Sequence, residues 1–83
     1  MSYGEVIRAH AQRAMKLYPQ KMAEVQRLAG VQIFADGDNN AKTELHVRHY
    51  LKAVGEVLGD VALVSARISL QAEARRRKLN ADF

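Results

Sequence analysis

Residues 43–79, TELHVRHYLKAVGEVLGDVALVSARISLQAEARRRKL, decide how the rest of the chain is read. Val47, Tyr50, Val54, Val57, Val61, Val64 and Ile68 recur there at alternating spacings of three and four. That is the a/d seam of a heptad repeat, held over about three heptads. Leu51 and Leu58 widen it on one flank. Gly55 and Gly59 fall inside the stretch, and each costs a helix about 1 kcal/mol relative to Ala. Asp60 is a candidate cap for a new helix after a break at Gly59. Val57, Val61 and Val64 nevertheless continue the register of Val47 to Val54 without a slip. The phase therefore favours one continuous helix over residues 41–79, roughly 55 Å long at 1.5 Å per residue. Asn39, Asn40 or Thr43 can cap its start, and Glu44 suits the positive helix end. Asn80 and the last residues, Ala81 to Phe83, are expected to fray.

Upstream, Ser2-Tyr3-Gly4-Glu5 fits a capping box, so a first helix is expected to start at Tyr3. At about 100° per residue, Tyr3, Ile7, His10, Ala11, Ala14, Leu17, Tyr18, Val25, Leu28 and Ala29 share one face. Met15 and Met22 border it, and Arg8, Gln12, Lys16, Gln20, Ala23 and Gln26 fall opposite. Pro19 removes one hydrogen-bond donor and crowds the turn before it. Because the apolar face keeps its phase across Pro19, one kinked helix over residues 3–29 is the preferred reading. The alternative makes Pro19 the first residue of a second helix. Gly30 is a natural stop. Residues 30–40 read as a loop: Ile33 and Phe34 fold back as a plug, and Asp36-Gly37-Asp38-Asn39-Asn40 supplies the turn.

Eighty-three residues make a single domain, 1–83, with too little chain for a large core. There is no cysteine, so no disulfide or thiolate-held metal can brace it. The apolar fraction of 48% is that of a globular protein, and the net charge of +4 is too small to force disorder. No apolar run reaches the roughly 20 residues of a membrane span, and residues 1–13 lack the pattern of a secretory signal. A cytoplasmic protein without a membrane partner is the expectation.

The chemistry-bearing residues do not assemble into a reaction site on paper. Asp36, Asp38 and Asn40 match the first three ligand positions of a calcium loop, but Ala41 and Val47 stand where Gly and a bidentate Glu are needed. His46 and His49 diverge on the long helix, and zinc needs three or four converging ligands. His10 lies on the apolar face, as a partly buried or pH-sensitive histidine. Ser65 and Ser69 have no histidine at helical spacing, and Glu56 and Asp60 project to solvent. The chain therefore reads as a non-enzyme with no cofactor and no metal.

Two other features of the long helix can carry function. Gly55, Gly59, Ala62, Ala66 and Ser69 form a small-residue stripe, a surface that lets another helix approach closely. That helix can be the first helix, a neighbouring subunit or a foreign protein. Arg75, Arg76, Arg77 and Lys78 form a basic run that suits the negative helix end, or an anion. Tyr18, with Lys21 or Arg27 nearby, can stack on a ligand base.

The expected architecture is all-α: a kinked N-terminal helix and a long heptad helix forming an antiparallel helical hairpin. Two helices cannot enclose a core, so a helical-bundle homo-oligomer with its seam at Val47, Tyr50, Val54, Val57, Val61, Val64 and Ile68 follows. The expected function is a small interaction protein, as adaptor, inhibitor or assembly component, whose partners are itself and another protein. The alternative is an anion binder for nucleic acid or a small nucleotide, using Arg75, Arg76, Arg77 and Lys78.

Overall fold

A computed structural model describes residues 3–32 and 41–83. Among the described residues there are four helices and no strand: α1 (Gly4–Leu17), α2 (Pro19–Ala29), α3 (Glu44–Leu58) and α4 (Asp60–Arg76). The readings of Ser2 as a cap, of Ile33 and Phe34 as a plug, and of Asp36 to Asn40 as a turn or calcium loop lie outside the described residues.

Both expected long helices are broken in two. The first ends at Leu17, because Tyr18 leaves helical geometry at φ −134°, ψ 61°. Pro19 then opens α2, where its missing donor costs nothing and its fixed φ suits the first turn. Two bonds carry the chain across the corner: the Tyr18 amide donates to the Ala14 carbonyl, and Met22 donates to that of Tyr18. Gly30 ends α2 in the left-handed conformation, with the Val31 amide closing back on the Gln26 carbonyl.

The second break decides the fold. Gly59 sits at φ 96°, ψ 173°, a conformation open to Gly and almost closed to other residues. The 41–79 helix is therefore not continuous; α3 stops at Leu58 and α4 restarts at Asp60. A continuous rod of about 55 Å also exceeds the longest dimension of the molecule, 31 Å.

The four helices contact one another in a closed cycle: α1 on α2, α2 on α3, α3 on α4, and α4 back on α1. α4 runs antiparallel to α1, since Glu5 pairs with Arg77 at one end and Arg13 reaches Ser69 nearer the other. The enclosed core joins Val6, Ile7 and Ala11 of α1, Met22 and Val25 of α2, Val47, Tyr50, Leu51 and Val54 of α3, and Ala66, Leu70 and Ala74 of α4. One chain thus encloses a core that two helices could not. The premise that drew oligomerisation from core closure does not hold.

The C-terminus is not frayed. Leu79, Ala81 and Phe83 pack against the core. The Phe83 ring meets Tyr3 edge to face at 6.3 Å, and the Tyr3 hydroxyl donates to the Asn80 carbonyl at 2.9 Å. Arg48 and Gln71 donate to the Asp82 and Phe83 carbonyls, and Asn80 donates to Glu44. The tail thereby ties α1, α3 and α4 together, a role that polar Asn80 and Asp82 hide in the sequence.

Candidate functional site

The seam divides at Gly59. Val47, Tyr50 and Val54 are buried and Val57 is half-buried, all on α3. On α4 the same pattern faces solvent: Val61 is 86%, Val64 53% and Ile68 63% exposed. The turn at Gly59 rotates α4 so that another of its faces meets the bundle. That inner face is the small-residue one. Ala66 is fully buried, Ala62 and Ser69 are half-buried, and Leu70 and Ala74 complete the contact. On α3, a Cβ at Gly55 would stand 3.1 Å from a terminal methyl of Leu63, so Gly55 makes room for α4. Of the stripe Gly55, Gly59, Ala62, Ala66, the chain itself takes up Ala66 and Gly55, so that Ala66 cannot reach a foreign partner, while Ala62 is half-buried and Gly59 borders open space.

Val61 borders a groove between the C-terminal end of α1 and the N-terminal half of α4, about 480 Å³ in volume. Leu17, 72% exposed, and Tyr18 stand on its α1 side; Val54, Leu58, Val61 and Ala62 supply apolar wall. The polar groups are His10, Arg13, Ser65 and Ser69. Among the described residues the groove has no carboxylate in its lining.

His10 is where α1 meets α3. Its Nδ1 lies 2.7 Å from the Tyr50 hydroxyl, and the rings meet edge to face at 5.6 Å. Burial, and then the Arg13 charge, hold the His10 imidazole below its ordinary pKa of 6.5, so it favours the neutral form. Burial also pushes the Tyr50 phenol well above its ordinary value of 10.0. With Nδ1 engaged by Tyr50, Nε2 is the remaining ring nitrogen. Arg13 donates to the Ser69 hydroxyl at 2.6 Å. Helical spacing within α4 could not connect Ser65 and Ser69 to a histidine; the antiparallel packing of α1 does so through space. Among the described residues His10 bonds Tyr50 and Ser69 bonds Arg13, and neither serine bonds His10.

The basic run is partly neutralised. Arg76 pairs with Glu73, one turn before it. Arg77 bonds Glu5 at 2.5 Å and lies 3.4 Å from the second Glu73 oxygen. The Arg76 hydrogen bond, followed by the neighbouring charges of Arg76 and Arg77, holds the Glu73 carboxyl below its ordinary pKa. Arg75 and Lys78 remain exposed, Lys78 with φ of 59° just past the helix end. The capping of Ser2 expected of Glu5 lies outside the described residues. His46 lies 3.2 Å from the Thr43 hydroxyl, and His49 is exposed. Tyr18 is exposed at the groove rim.

Among the described residues no three His, Asp or Glu side chains converge as metal ligands, and no helix is long and apolar enough to cross a membrane. A scan against protein-family models found no match, and neither curated proteins nor solved structures gave one.

Proposed function

We propose that the chain is a small non-enzymatic interaction protein that pairs with a second copy through the Val61–Val64–Ile68 face of α4. One observation carries this reading: three large aliphatic residues lie consecutively along one helix face and stand mostly in water. Leu17 and Tyr18 extend the apolar surface beside Val61. A folded chain that had only to be soluble would more cheaply place polar residues there.

The flanking charges favour a second copy over a foreign helix. Asp60 and Arg67 are exposed, and they sit one heptad apart on the same flank of the stripe. When two α4 helices cross antiparallel about Val64, Asp60 of each copy comes level with Arg67 of the other. Two-fold symmetry makes that attraction twice.

Native mass spectrometry and sedimentation test this over a concentration series. The wild-type chain should dimerise, and Val64→Glu or Ile68→Glu should return it to monomer with unchanged helicity. Asp60→Lys should weaken the pair, and Asp60→Lys combined with Arg67→Asp should recover part of the loss. A wild-type chain that stays monomeric up to millimolar concentration sinks the proposal. So does a dimer indifferent to Val64 and Ile68. Anion binding at Arg75, Arg76, Arg77 and Lys78 is less supported, because Glu5 and Glu73 already hold two of the four cations.

A further inference from the structure

We infer that the α1–α4 groove is a binding site for an amphipathic monocarboxylate, an apolar alkyl or aryl body carrying one carboxylate. Its volume, about 480 Å³, lies within the range of small-molecule sites. The apolar wall formed by Leu17, Leu58 and Val61 suits the body of such a ligand. The polar end is one-signed. Arg13 is a permanent cation whose described bond is to a neutral hydroxyl, that of Ser69. Its planar fork carries five N–H donors, more than that bond uses. When the Tyr50 hydroxyl donates to Nδ1 of His10, Nε2 carries the proton and is a further donor. Ser65 and Ser69 add hydroxyls. Donors gathered around a cation, with no carboxylate in the lining among the described residues, select an anion. The apolar wall selects one with a hydrocarbon body over phosphate or chloride.

Size does not favour a protein segment: the groove is bounded by the Tyr18 corner at one end and by the Arg13–Ser69 bond at the other. Val61 is shared with the self-association face, whereas Val64 and Ile68 lie outside the groove lining, so titrations on dilute, monomeric chain answer for the groove whether or not the chain pairs.

Decanoate, 1-decanol and decyltrimethylammonium, each below its micelle-forming concentration, separate the contributions in NMR titrations of the wild-type chain. Decanoate should shift the amides of Arg13, Leu17, Val61 and Ser65 in a saturable way. Decanol should bind about tenfold more weakly or worse, because a charge-assisted bond to Arg13 is lost. The ammonium should not bind in the groove. Decanoate should also raise the pKa of His10, since a neighbouring anion favours the imidazolium. Arg13→Gln, at an exposed position, should cost about tenfold in decanoate affinity, while Ile68→Gln should leave it unchanged at concentrations where both chains are monomeric. Equal binding of decanoate and decanol would overturn the inference, as would an unmoved His10. Loss of binding in Ile68→Gln would place the ligand on the outer stripe and overturn it too. The ligand series needs no variant to fold, so the answer does not hang on Arg13→Gln.

Discussion

Tyr50 carries its hydroxyl to the boundary between core and groove, and His10 is the partner that makes that burial tolerable. An unbonded phenol there would lose hydration without recompense. Tyr50→Phe should therefore lower stability by only about 1 kcal/mol, the net worth of one hydrogen bond, in urea unfolding. Tyr50→Ala should cost about 3–5 kcal/mol, since it also empties a core position. His10 makes the fold acid-sensitive in a defined direction. Its native pKa lies below the ordinary 6.5, so as pH falls through 6.5 the unfolded chain takes up this proton first. Stability should decline from there until the pH passes below the depressed native value, and then level off with respect to this group. His10→Gln should flatten that part of the curve, with Tm against pH as the measurement. The sequence placed His10 correctly on an apolar face. It could not name Tyr50 as the partner, because forty positions and the Tyr18 corner separate them.

The helix faces were largely legible, because a 3.6-residue period records which side of each segment is dry. Ile7, Ala11, Ala14, Val25 and Ala29 are buried as their phase requires. Leu17, Tyr18 and Leu28 share that phase yet are exposed, the first two flanking the Tyr18 corner. Val6, off the expected stripe, is buried because α1 is covered by two neighbours rather than one. On α4 the period misled more deeply. The valines outline the clearer stripe, but the fold buries the small residues, which permit close approach to α1 and α3. Helix separation, not apolar size, decides which residues of α4 are buried. At the same scale, the tail beyond α4 works as a strap. Phe83→Ala removes its contact with Tyr3 and should cost about 1–2 kcal/mol. Hydrogen exchange should then rise at the start of α1 as well as in the tail.

For the molecule as a whole, the all-α class was readable and the number of helices was not. Composition and period fix the class, whereas two single-residue corners, Tyr18 and Gly59, set how many helices there are. Because the Val47-to-Ile68 pattern stays in register through Gly59, the chain also encodes a second way to satisfy its valines. In the observed fold the outer three are left in water, held there by one backbone conformer that only glycine adopts readily. Gly59→Ala should penalise that conformer by about 1–3 kcal/mol and reward helix at the same position. The expected product is a domain-swapped dimer in which α3 and α4 fuse into a rod of about 50 Å and each chain lends its α4 to the other. Small-angle scattering would report the lengthened particle, and slow return to monomer on dilution would report the exchange. A Gly59→Ala chain that is merely less stable, with the wild-type profile, would refute it. On that outcome Gly59, a flaw in a coiled coil, is the residue that keeps each chain's fourth helix at home.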